Sequence, residues 1–297
     1  MQKQKVFKND TLQTFYEQHG YCIVPNLLND EDTQNITSFY DQWQYKIEQD
    51  AFEAGFVNHN KAYKNAIYQY VSKIIAKKVG HLLQDYRVLT ATLVVKKPLP
   101  NSEMRVHQDW NLVDEKQYDS IGVWCPMVDV TAHNGTMYVL KGSHRLGLLR
   151  GSSLPHTCKD IMDLPYEDFE CLNMKKGDVL FYNHSLIHRS AVNQSKEKRI
   201  AALLGMIPNA AQPLHFHGKK NVSKVEIYQV SSDFYIDYDF GQANLPENIQ
   251  KVGELNYNFN ILNKKDIQHL LAKKNSNYFL EKIKSFNTFF AKNNKST

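Results

Sequence analysis

Hydrophobic residues fall into two textures along this chain. Up to about residue 85 they recur every three or four positions, the period of a helix with one buried face. "TLQTFYEQHG" ends at Gly20, and glycine closes a helix in the left-handed conformation without steric cost. "YCIVP" follows as a strand stopped by Pro25. Beyond "NLLNDED", Ile36, Phe39, Tyr40, Trp43 and Ile47 share one helical face behind an acidic first turn, which suits the positive end of the helix dipole. Ile67, Tyr70, Val71, Ile74, Ile75, Val79 and Leu82 predict a further helix.

From about 87 to 207 the period shortens. "RVLTATLVVKKP", "SIGVWCPMVDV", "TMYVLKG", "DVLFYN" and "RIAALLGMI" are short β-rich runs, separated by the turn formers "PLPNS", "HNG", "KKGD" and "NQSKEK". This pattern predicts a mainly β fold with flanking helices, a sandwich or jelly roll rather than a doubly wound sheet. Residues 208–262 carry mixed signals and yield no assignment. Residues 266–291 predict an amphipathic C-terminal helix through Ile267, Leu270, Leu271, Phe279, Ile283 and Phe286. With no repeat or linker, the expected organisation is one domain over 1–297. Helical support occupies 1–86, a β core 87–207, and a C-terminal extension 208–297.

The bulk properties narrow the class. In 297 residues, 42% hydrophobic and 23% charged describe a globular chain with a core to bury. The net charge of +5 gathers in segments such as "KKNSNYFLEKIK" and "AKNNKST", which read as solvated surface, and no nucleic-acid-binding motif accompanies it. Cys22, Cys125, Cys158 and Cys171 show no Cys-x-x-Cys spacing. The N-terminus lacks an apolar core of signal-peptide length, and no run approaches the roughly 18 apolar residues of a membrane span. A cytoplasmic protein without nucleic-acid or membrane partners is expected.

The chemistry gathers in two places. In "RVHQDWN", His107 and Asp109 stand two apart, so on an extended chain they share a face. One imidazole and one carboxylate are two ligands of the 2-His-1-carboxylate triad, which leaves open positions on Fe(II). Alone, the pair is weak evidence, since an ordinary half-exposed strand carries such residues far more often than a metal site does. Downstream, "HSLIHRSAVN" supplies two histidines, His184 and His188. A hairpin turning in "QSKE" would pair Asn193 with Lys198 and set Val192 opposite Arg199. That arrangement puts Arg199 on the face of His188, about 13 Å along the strand at ~3.3 Å per residue. A guanidinium at that distance can grip the far carboxylate of a small dicarboxylate bidentately.

"HQD", "GSHR" and "GDVLFYNHSLIHRSAVNQSKEKR", with the opening "FYEQHGYCIVPNLLNDEDT", resemble the phytanoyl-CoA dioxygenase family over residues 12–207. That resemblance implies a double-stranded β-helix (a cupin-like jelly roll) and an Fe(II)- and 2-oxoglutarate-dependent oxygenase that consumes O2. It selects His188 over His184 as the third metal ligand with His107 and Asp109. It implies that Arg199 and Ser190 hold 2-oxoglutarate, with Trp124 and Leu93 also at the cosubstrate. Relatives that halogenate replace the carboxylate with a small residue, so Asp109 implies hydroxylation or another oxidative outcome rather than halogenation.

Around these, Arg105, Trp110, Asn111, Arg189, Tyr138 and His144 are candidate substrate contacts, each with a packing or rim-salt-bridge alternative. The expected substrate is a small polar metabolite, amino-acid-like or a natural-product intermediate; an acyl-CoA or carrier-bound substrate is the alternative. "HFH" (His215, His217) has same-face spacing but no acidic partner for a second metal site. Two further readings stay open: a cupin-like module that binds metal and ligand without turnover, and a zinc or manganese hydrolase or isomerase, which would not need Arg199.

Overall fold

The helical period of the first third becomes three helices, α1 (Asp10–His19), α2 (Asp30–Trp43) and α3 (Lys61–Val79). Local chemistry sets their ends. Asn9, Asn29 and Asn60 each accept a backbone N–H from the first turn, and Asn29 with Asp32 forms a reciprocal capping box. Gly20 closes α1 at φ +83° and donates to the Tyr16 carbonyl. The computed structural model describes residues 3–44, 50–154, 164–218, 223–238, 240, 245, 248–257, 265 and 267. The expected C-terminal helix lies outside these, apart from Ile267, and so does Ile47.

Between and after the helices run β1 (Tyr21–Val24), β2 (Phe52–Ala54), β3 (Tyr86–Lys96), β4 (Met104–His107), β5 (Ile121–Pro126), β6 (Met137–Val139), β7 (Glu170–Cys171), β8 (Val179–Asn183), β9 (His188–Ser190) and β10 (Arg199–Pro208). One antiparallel sheet takes the order β1-β8-β5-β10-β3-β2, and a second takes β4-β9-β6-β7. Strand alternation divides the large sheet's side chains between two cores. Leu93, Val95, Val123, Phe181, Ala202 and Leu204 pack with Tyr16, Ile36 and Ile67 of the helices. Val94, Trp124, Leu180, Tyr182 and Ala201 face the small sheet's Met137 and Val139. Two sheets closed over one core, helices on the outer face of the larger, form the double-stranded β-helix.

Two expectations change. β9 and β10 do not form a hairpin: β9 belongs to the small sheet and β10 to the large one. The link between them crosses from sheet to sheet, held by the Asn193 side chain, which donates to the carbonyls of Lys96 (3.0 Å) and Glu197 (2.7 Å). The cross-strand neighbour of Arg199 is therefore Lys96, not Val192. The unassigned region after 208 forms a third antiparallel sheet, β11 (Leu214–Gly218), β12 (Lys224–Gln229) and β13 (Gln250–Asn256), with the short helix α4 (Phe234–Asp237) between the last two. Leu214, Phe216, Val225, Ile227 and Leu255 bury one face against Leu149. Its alternation is masked because buried positions also carry polar groups: His215, and Glu226, which pairs with Lys251 at 2.6 Å.

Among the described residues no helix is long and apolar enough to cross a membrane.

The tightest point of the inter-sheet core is Gly122, where an added Cβ would lie 2.2 Å from the Tyr182 ring. Gly122→Ala is expected to cost about 1–3 kcal/mol through overpacking, measured by urea denaturation. An unchanged midpoint would show that the ring has room to move.

Candidate active site

β4 and β9 pair so that His107 stands directly opposite His188. The ring centroids are 4.1 Å apart. Each ring is oriented from behind: His107 Nδ1 lies 2.8 Å from the Arg105 carbonyl and His188 Nδ1 2.9 Å from that of Leu186. A carbonyl only accepts, so each Nδ1 carries the proton and each Nε2 the lone pair, as a metal ligand requires. Asp109 Oδ1 lies 3.7 Å from His107 Nε2, and one ligand atom from each of the three residues falls within 4.8 Å of the others. This is the one such group found among the described residues. Tyr182 donates its hydroxyl to Asp109 Oδ2 at 2.7 Å. Burial pushes the carboxyl pKa up, but the positive charge that His188, His184 and His107 carry when protonated, together with the Tyr182 bond, outweighs it and holds Asp109 below the usual carboxylate range. Two neutral imidazoles and a carboxylate, with open space beside them, fit a divalent iron.

A second feature lies where the two sheets meet. Arg199 is buried and its guanidinium stands 5.5 Å from the Trp124 ring. Nη1 donates to the Val94 carbonyl at 3.2 Å, while Nε has no hydrogen-bond partner. Burial lowers its pKa to about 9. Beside it Lys96, fully buried, donates to the carbonyls of Ser102 (2.6 Å), Ser190 (3.1 Å) and Ala191 (2.5 Å). Burial first, then the neighbouring Arg199 charge, brings its pKa down to about 6. A buried guanidinium with an orphaned N–H, next to a second buried basic side chain, has a donor to offer an anion. Ser190 is buried on the same side, at the register position of Met104 and Met137.

A cavity of about 330 Å³ opens over His107 and Asp109. Trp110 lines it, with Phe56 and Tyr68 from the N-terminal part and Tyr235 and Phe240 from the segment after β12. Thr92, Gln108 and His184 add polar points, and among the described residues Lys64 is the only lysine in the lining. His188, Arg199, Ser190 and Trp124 do not line this cavity.

Other expected contacts lie elsewhere. Met104 pairs with Ser190 and His107 with His188, so β4 carries one extra residue. The bulge brings Met104 and His107 to the cavity and turns Arg105 to solvent, its side chain 79% exposed and 3.8 Å from Glu103. Arg189 and Tyr138 occupy outward positions of their strands. Arg189 donates to the Leu164 carbonyl at 3.0 Å and covers the Tyr166 ring, against which Tyr138 also packs. Leu93 faces the helices rather than Arg199. His144 sits under α1, Nε2 being 3.2 Å from the Glu17 carbonyl, and burial lowers its pKa to about 3. Asn111 accepts the Arg150 N–H at 2.7 Å instead of facing the cavity.

Sequence reasoning passed over Lys96, Tyr182 and Arg150. Lys96 and Tyr182 were readable in principle, since each shares strand parity with an inward residue, Val94 or Leu180. His184, passed over as a metal ligand, lines the cavity with Nδ1 3.0 Å from Ser120 Oγ, and burial lowers its pKa to about 4 against the opposing pull of Asp109. His215 and His217 flank Ser152, whose Oγ lies 2.8 Å from a nitrogen of each. Burial lowers the His215 pKa to about 3, and its ring packs against Trp110 and Tyr238.

The family model described as phytanoyl-CoA dioxygenase (PhyH) matches residues 16–201. A phytanoyl-CoA dioxygenase of Arabidopsis thaliana is 28% identical over 149 residues, 49% of this chain and 52% of that protein. The peroxisomal phytanoyl-CoA dioxygenase of Homo sapiens is 25% identical over 228 residues, 63% of this chain and 64% of that protein. The chain thus spans about half the length of the first and under two thirds of the second. EvdO2 from Micromonospora carbonacea var. aurantiaca, solved with 2-oxoglutarate, shares the fold at TM-score 0.50 and 13% identity, covering 72% of this chain and 95% of that one. With a match that runs from α1 into β10, across both sheets and all three grouped side chains, this chain belongs to the phytanoyl-CoA dioxygenase family.

Proposed function

We propose that the protein is an Fe(II)- and 2-oxoglutarate-dependent oxygenase that hydroxylates a C–H bond of a small molecule with an apolar body. The observation that carries this reading is the convergence of His107, Asp109 and His188 within 4.8 Å, beside a cavity that His107 and Asp109 line. Iron held there supplies O2 activation coupled to oxidative decarboxylation of 2-oxoglutarate to succinate and CO2.

The chain's share is binding and orientation. Arg199 takes the far carboxylate of 2-oxoglutarate through its partnerless Nε, with Trp124 beneath it and Ser190 and Lys96 alongside. Tyr182 keeps one oxygen of Asp109 hydrogen-bonded, so the other turns toward the metal position. Trp110 and Phe240, stacked with centroids 5.1 Å apart, wall the substrate side and exclude water.

The cavity argues against the polar, amino-acid-like substrate expected from the sequence. The residues behind that expectation, Arg105, Asn111, Arg189 and Tyr138, do not line it, and those present are mostly aromatic and aliphatic. The same lining accommodates the acyl end of a thioester, in line with the name of the relatives, so free and CoA-linked forms of an apolar acid form the deciding pair of substrates.

Protein purified anaerobically and supplied with Fe(II), 2-oxoglutarate and O2 is expected to release succinate, and Asp109→Ala to lose that activity. Metal-dependent 2-oxoglutarate binding with no succinate across a broad panel would favour the non-catalytic module. Arg199→Ala is expected to raise the KM for 2-oxoglutarate about 10- to 100-fold, the worth of a charge-assisted hydrogen bond at ~1.5–3 kcal/mol. An unchanged KM would sink the clamp. Trp110→Ala is expected to raise the KM for apolar substrates roughly tenfold while leaving the KM for 2-oxoglutarate near wild type.

A further inference from the structure

Asp109 is the one grouped ligand that no strand carries. β4 ends at His107, and residues 108–112 belong to no ladder. An aspartate on irregular backbone needs some other constraint to aim its carboxylate. Tyr182 restrains one oxygen but not the main chain.

That main chain is gripped by Arg150, a buried residue with a network of its own. Its Nε donates to the Asp109 carbonyl at 2.9 Å. Nη1 and Nη2 meet both oxygens of Glu115 at 2.8 and 2.6 Å, a bidentate pair, and Nη1 also reaches the Leu148 carbonyl at 2.8 Å. The backbones lock as well: Arg150 N–H donates to Asn111 Oδ1, and Asn111 N–H to the Arg150 carbonyl at 3.3 Å. Residues 109 and 111 are thus held on either side of Trp110, which lines the cavity. A planar fork pinned by Glu115 has a fixed direction, so its Nε fixes the Asp109 peptide.

We propose that Arg150, pinned by Glu115, is a positioning residue that sets the Asp109 carboxylate for metal binding. This rests on the metal-site reading above. Lysine at 150 would keep the charge but lose the fork.

The test is a Co(II) titration followed by visible absorption, alongside circular dichroism and thermal melting. Arg150→Lys and the charge-balanced double variant Arg150→Gln/Glu115→Gln are expected to fold and to bind Co(II) about 10- to 100-fold more weakly, with an altered spectrum. Should neither fold, Glu115→Gln alone, which keeps the volume and the Arg150 side chain but loosens its pin, is expected to weaken binding at least threefold. A folded variant with wild-type Co(II) affinity and spectrum, whatever its melting temperature, overturns the proposal and reduces Arg150 to a structural role. A wild-type protein that binds no Co(II) overturns the metal reading, and this inference with it. Equal binding by wild type and variants overturns this inference alone.

Discussion

Everything at the site depends on one antiparallel register, that of β4 against β9. It sets His107 opposite His188, and the carbonyls two residues back on each strand orient both rings. A slip of one residue would turn His188 to the outer face of the small sheet and Arg189 inward. The extra residue in β4 belongs to the same constraint: it lets Met104 and His107 share the inner face although three positions separate them.

The inner and outer faces of the sheets also sort chemistry from support. Inner positions of the large sheet carry Thr92, Lys96, Trp124, Tyr182 and Arg199, while outer positions hold the aliphatic layer under α1–α3. Buried charge is tolerated only where backbone carbonyls or a carboxylate satisfy it. Lys96 meets three carbonyls and Arg150 a carboxylate and two carbonyls, whereas Arg199 retains a partnerless N–H, as does Arg189 on the outer face of the small sheet.

Much of this was legible in the residues. The Gly20 cap, three helices, the longer strands and the positions His107, Asp109, His188 and Arg199 all follow from period, punctuation and motif. What was not legible depended on contacts far away in sequence. No local signal announces the bulge that turns Arg105 outward. Turn formers after Asn193 suit a hairpin as well as a crossing, and only sheet assembly decides between them. Parity on short strands such as β6 and β9 is known only once their partners are, so Tyr138 and Arg189 were misassigned to the site. The third sheet hid because His215 and Glu226 interrupt its apolar alternation.

Ser152 rests between His215 and His217 at equal distance from a nitrogen of each. One hydroxyl holds one proton and has three acceptors in reach, the two rings and the Phe216 carbonyl at 3.4 Å. Given to one ring, that proton obliges the other ring to donate, and the two imidazoles become chemically unequal although the heavy atoms around the hydroxyl look symmetric. Given to the carbonyl, it leaves the hydroxyl oxygen to accept from both.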